Sequence, residues 1–92
     1  MIDRRYSEPS EVSGSHRRIF EQLASAFPAY EVWERWQDYG RWLSAGVVNR
    51  DTAVAVTIPL VHAGRSRTAP ITPGELETIR SHLASAGADL TM

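Results

Sequence analysis

A chain of 92 residues allows one small domain, with roughly 60–65% of its unfolded surface to bury and modest stability unless it associates. Its 42% hydrophobic content argues against wholesale disorder, and its net charge of −1 supplies no general pull toward nucleic acid or anionic membranes. The absence of cysteine excludes a disulfide framework and a thiolate metal site.

The first residues, Met-Ile-Asp-Arg-Arg-Tyr, precede no apolar run and do not read as a secretory signal. The longest uncharged run, Thr52–Val61, is far short of a membrane span, so a cytoplasmic protein is expected. Every one of the ten Lys+Arg positions is arginine. With abundant alanine, this reads as the coding bias of a GC-rich bacterium or its phage, rather than as selection for arginine's bidentate fork.

Residues 1–14 carry Ser7, Glu8, Pro9, Ser10, Glu11, Ser13 and Gly14 with little to bury. They are expected to be a flexible tail, leaving 15–92 as the single globular domain. Ser15 is placed to cap a first helix over 16–27, with Ile19, Phe20, Leu23, Ala24 and Phe27 as its apolar stripe and Pro28 ending it.

A second helix is expected from Ala29 to about Ala45. Val32, Trp33, Trp36, Tyr39, Leu43 and Val47 fall on one face at the helical period, and Glu31 and Arg35 stand at i,i+4. On this reading Trp33 and Trp36 are core, while Trp42 lies among the charges with Arg35 and Asp38. Gly40 is either a mid-helix glycine or a left-handed stop.

Residues 52–63 alternate Val54, Val56, Ile58 and Leu60 with Ala53, Ala55, Thr57 and Pro59, which reads as a strand. The competing reading is a short helix over 52–58, giving an all-α bundle. A Gly64-Arg65 turn would fold the strand back onto Arg67–Ile71, pairing Ala63 with Ser66 and placing Pro59 opposite Pro70. Thr72-Pro73-Gly74-Glu75 is a capping box with proline at the first helical position. It opens a last helix to about Ala86, with Leu76, Ile79 and Leu83 inward, an Ile71/Leu76 staple and Gly87 as its stop. The expected fold is thus α+β, in the order α-α-β-β-α, with a short hairpin packed on three helices.

Candidate chemistry is sparse. His16, His62 and His82 have no ligand spacing, so no metal is expected. No serine or threonine lies in a nucleophile elbow, and Glu31, Glu34 and Asp38 read as a solvated helix face. No phosphate loop or dinucleotide fingerprint is present, so neither a cofactor nor catalysis is expected.

The best reading is a non-catalytic protein-interaction, regulatory or adaptor module that forms a homodimer. Its contacts are expected at Trp42, Arg41 and Arg35, residue types enriched at binding hot spots. Val54 and Val56 join them, because an apolar strand with an interrupted hairpin needs another partner. The alternative is a small DNA-binding regulator whose Arg65/Arg67 hairpin, with His62, Arg17 and Arg18, meets phosphates.

Overall fold

The computed structural model describes residues 1–7, 10–12, 14–85 and 87–92. Glu8, Pro9 and Ser13 of the expected tail, and Ala86 at the expected end of the last helix, lie outside the described residues. The elements run β1 (Ile2–Arg5), α1 (Gly14–Ala26), β2 (Glu31–Gln37), β3 (Trp42–Asn49), β4 (Val54–His62), β5 (Arg65–Ser66), α2 (Pro73–Leu83) and β6 (Leu90–Thr91). A single 3-10 turn over Asp38–Gly40 joins β2 to β3. All strands belong to one six-stranded sheet in the order β1-β2-β3-β4-β5, with β6 parallel to β4.

This corrects both expected folds. Among the described residues there are two helices rather than three, and six strands rather than a hairpin. The stretch expected as a helix over 29–45 is instead strand β2, a turn and most of β3. Its residues alternate: Val32 and Glu34 are buried while Trp33 and Arg35 face away, and Leu43, Ala45, Val47 and Asn49 are buried while Trp42, Ser44, Gly46 and Val48 face away. Valine and the aromatics suit such a pleated, half-buried surface. The expected tail is also ordered in part, since residues 2–5 pair antiparallel with β2 and Val12 is buried in the core.

Of the stripe read from the sequence, helix α1 buries Ile19, Phe20 and Leu23, Ala24 is half-buried, and Phe27 is buried one residue past the helix end. It begins at Gly14, so Ser15 lies inside the helix and is not its cap. Helix α2 carries the complete capping box: the Thr72 hydroxyl accepts from the Glu75 amide, and the Glu75 carboxylate accepts from the Thr72 amide. It ends at Leu83, earlier than the sequence suggests. Both helices cover the same face of the sheet, whose inward residues include Val32, Leu43, Ala45, Val47, Val56, Ile58 and Leu60.

Two side chains tie the layers together. Gln22 of α1 donates to the Ile71 carbonyl at 3.1 Å and accepts from the Ile71 amide at 2.8 Å. Asn49 at the end of β3 donates to the Leu83 carbonyl at the last turn of α2.

Strand β4 is where a strand was expected, but its partners differ. It pairs with β3 from Val54 to Val61, so no copy of the chain is needed to complete it. Pro59 cannot donate to that ladder, and the register slips next to it: Ser44 faces Pro59, while Leu43 faces Val61. Leu60 and Val61 are consequently both buried.

The hairpin turn is Ala63-Gly64, with φ of 51° and 82°, so His62 pairs with Arg65 rather than Ala63 with Ser66. Positive φ at both central residues matches the twist of the flanking strands. Pro70 never reaches Pro59, because β5 stops at Ser66.

Candidate functional site

The tryptophans show how the sheet divides its faces. Residues two apart on a strand share a face, and the sequence Glu31-Val-Trp33-Glu34-Arg-Trp36 uses that spacing twice. The Trp33 indole N–H donates to Glu31 at 2.9 Å on the open face, and the Trp36 indole N–H donates to Glu34 at 3.0 Å on the helix-covered face. Trp33 is therefore not core, and Trp36 only flanks it.

The Arg50 guanidinium stands 6.0 Å from the Trp33 ring and holds Glu31 at 3.0 Å. Hydrogen bonds from Arg50 and Trp33 lower the Glu31 carboxyl to about 2. Trp42, on the open face, meets His62 edge to face at 4.3 Å, directly across the shifted register.

Glu34 is the residue that sequence reasoning misplaced most. It belongs to no solvated cluster: it is 1% exposed beneath the helices. The Ser10 hydroxyl and the Trp36 indole donate to its two oxygens at 3.0 Å each, and the Arg4 guanidinium lies 3.5 Å away. Arg4 also pairs with Glu11 at 3.1 Å.

Beside this group the helical cover ends. A cleft of about 690 Å³ opens between β1 and the 3-10 turn, lined chiefly by Met1, Ile2, Arg4, Trp36 and Tyr39. Met1, Ile2 and Tyr39 are the large apolar side chains left exposed among the described residues, and all three line this one cleft. The turn that presents Tyr39 is strained. Asp38 and Tyr39 have φ of 50° and 52°, in the left-handed region that a bulky residue such as tyrosine disfavours, and Gly40 follows at 89°. The left-handed option for Gly40 is thus realised, but in a turn between strands rather than at a helix end.

The residues expected to bind a partner are dispersed. Val54 and Val56 lie buried on the covered face of β4, 2% and 0% exposed, and offer nothing to a partner. Arg35 makes a bidentate pair with Asp3 of β1 at 2.8 and 3.0 Å. Arg41 lies 3.6 Å from Asp38 at the turn, and Trp42 rests on His62. Of these, only Arg35, through Asp3, touches the edge strand beside the cleft.

Of the residues of the nucleic-acid reading, Arg67 and Arg17 are engaged by carboxylates. Arg67 grips Glu75 at 2.7 and 2.8 Å and donates to the carbonyls of Ala69 and Pro70. Arg17 pairs with Glu21 at 3.2 Å, while Arg18, His62 and Arg65 are exposed. Among the described residues, no three His, Asp or Glu side chains are placed to hold a metal ion. No helix among them is long and apolar enough to cross a membrane.

The Arg67–Glu75 pair has a measurable consequence. Hydrogen bonds from Arg67, then from Thr72, lower the Glu75 carboxyl to about 2 from an ordinary 4.5. Because the folded value is the depressed one, this stabilisation is present above pH 4.5 and is lost as pH falls toward 2. Replacing Glu75 with glutamine is expected to remove about 1–2 kcal/mol at neutral pH. It should also flatten the dependence of stability on pH across that acid window. Urea titrations at neutral pH and near pH 3 check both effects, and parallel pH profiles for the two proteins would refute the assignment.

Comparison of the chain with protein-family models, with curated proteins and with solved structures gives no match.

Proposed function

We propose that the protein is a non-catalytic interaction module that receives an extended, apolar-bearing segment of a protein chain along β1 and the adjoining cleft. One observation carries this reading: Met1, Ile2 and Tyr39, its exposed large apolar side chains among the described residues, converge there. Apolar side chains gathered at one concave place mark contact surfaces, whereas scattered ones need no explanation. The strained turn supports the reading, since it costs energy to hold Tyr39 outward and the fold does so beside the edge strand β1. A duplex-binding reading loses support from the engagement of Arg67, whose guanidinium is occupied at the start of α2.

A photo-reactive phenylalanine analogue at position 39 tests the proposal, with position 77 on the far side of α2 as control. The analogue at 39 is expected to crosslink to protein, and Ile2→Asp is expected to suppress that product without lowering the thermal midpoint. Equal labelling from 77, or a product indifferent to Ile2→Asp, would refute the proposal.

A further inference from the structure

The two edges of the sheet are finished differently. The far edge of β4 is occupied along most of its length. β5 pairs with Val61 and His62, and the Arg67 amide reaches the Leu60 carbonyl at 2.7 Å. Toward the other end β6 pairs with Val56 and Thr57, and the Asp89 carboxylate accepts from the Ala55 amide at 2.9 Å. At the opposite edge stands β1. Among the described residues, it pairs with β2 and nothing else.

The ladder fixes which backbone groups that edge offers. The Tyr6 amide donates to the Val32 carbonyl at 2.8 Å, which continues the β1–β2 ladder by one residue. Backbone direction alternates along an antiparallel strand. Tyr6, Arg4 and Ile2 therefore point their peptide groups at β2, and Asp3 and Arg5 point theirs outward.

A second strand can dock on those outward groups in few registers, and the side chains discriminate among them. Consider a copy of β1 running antiparallel about a two-fold axis perpendicular to the sheet. A register centred on Asp3 sets two aspartates opposite each other, and one centred on Arg5 sets two arginines opposite each other. The register centred on Arg4 sets Asp3 opposite Arg5 of the second copy, twice. Opposite charges directly across a strand pair stabilise it, and like charges oppose it.

Asp3 and Arg5 both lie on the open face, where Arg35 already flanks Asp3 and Glu31 lies 4.0 Å from Arg5. Pairing thus produces a row of alternating sign across the junction: Arg35, Asp3, then Arg5 and Glu31 of the second copy. The two Arg4 side chains meet at the axis as one like-charged pair, softened by Glu11 and Glu34, and the two Asp3–Arg5 pairs outweigh it, a balance that neither other register offers. On the covered face, exposed Ile2 comes to lie beside Tyr6 of the second copy, at the mouth of the cleft.

We propose that the segment received along β1 is β1 of a second copy of this chain, paired antiparallel in the register that sets Asp3 against Arg5. This inference rests on the interaction-module reading and names its partner. It also accounts for the charged edge. A four-residue strand carrying Asp3, Arg4 and Arg5 resists indiscriminate edge-to-edge stacking, yet it admits one self-complementary pairing. The interface is isologous and closed, so association stops at the dimer.

Charge reversal tests the register. Sedimentation of the full chain across the micromolar range is expected to show a dimer. Asp3→Arg sets arginine against arginine, Arg5→Asp sets aspartate against aspartate, and each is expected to weaken the dimer on the order of a hundredfold. An equimolar mixture of the two variants restores opposite charges at both positions and is expected to dimerise again. Because that rescue uses the same two weakened proteins, it separates lost pairing from lost folding.

A second readout is amide exchange in the wild-type chain. Asp3 and Arg5 amides should slow with rising concentration, while the Arg4 amide is protected throughout. A wild-type protein that stays monomeric overturns this inference while leaving a crosslink from position 39 to another protein free to support the module reading. A dimer indifferent to both reversals, or a mixture that fails to re-form one, overturns it as well.

Discussion

Glu34→Leu is expected to lower the unfolding free energy by about 3–5 kcal/mol, one of the two largest effects of a single substitution in this protein. Leucine fits the volume but removes the acceptors for the Ser10 hydroxyl and the Trp36 indole, and the charge facing Arg4. Removing one partner of a buried charged group leaves the others desolvated and unsatisfied, and that penalty exceeds any gain from added apolar contact. Arg4 is the most sensitive member, since its Nε atom is buried and depends on Glu34, 3.5 Å away.

Glu34→Gln retains one acceptor and is expected to lose only about 1–3 kcal/mol. Urea unfolding followed by tryptophan emission measures both. A leucine variant within 1 kcal/mol of the parent on that scale would show the group to be dispensable.

Phe20→Ala is the second large effect, at about 3–5 kcal/mol. Phe20 is fully buried on the inward stripe of α1. Its ring stacks on Tyr6 at 4.9 Å between centroids, with 15° between planes. Truncation thus opens a cavity in the main core and also releases the residue that anchors the end of β1. For a domain of this size the loss corresponds to a fall of roughly 12–25 °C in the thermal midpoint. Phe20→Leu refills most of the volume without the stacking and should recover more than half the loss. Calorimetry on the two variants separates packing from ring contact, and a Phe20→Leu midpoint equal to that of the parent would refute a role for the stack.

The parts of the fold legible in the sequence are those whose signal is local. The α1 stripe, the Thr72 capping box and the alternation of β4 each declare themselves within one element. Strands β2 and β3 did not, for a specific reason. Val32 and Trp36 are four residues apart, as are Leu43 and Val47, and a spacing of four satisfies both a helical stripe and a strand face. The residues between them had to decide. At Glu34 the inward position holds a carboxylate, which reads as solvent-facing until Ser10, Trp36 and Arg4 are seen around it. The repeated Glu-x-Trp spacing was the available clue to a period of two.

The cleft was illegible for a different reason. Met1, Ile2 and Tyr39 become neighbours only through the pairing of β1 with β2. Nothing in the charged run Asp3-Arg4-Arg5 marks it as a strand, because an edge strand takes its conformation from its partner. The misplaced turn at Ala63-Gly64 is a matter of one residue: alanine carries a positive φ there that its side chain disfavours.

The order of the strands also sets an order of events. β2, β3 and β4 follow one another and pair as nearest neighbours, so they zip up through short loops. β1 must wait, since all of α1 separates it from β2, and β6 reaches β4 only after α2 is in place. Contacts closing long loops form late and open early, and such segments occupy the low end of the range of local stabilities. The meander is therefore the part of the sheet built from the shortest loops, and β1 is a margin joined to it across the whole of α1.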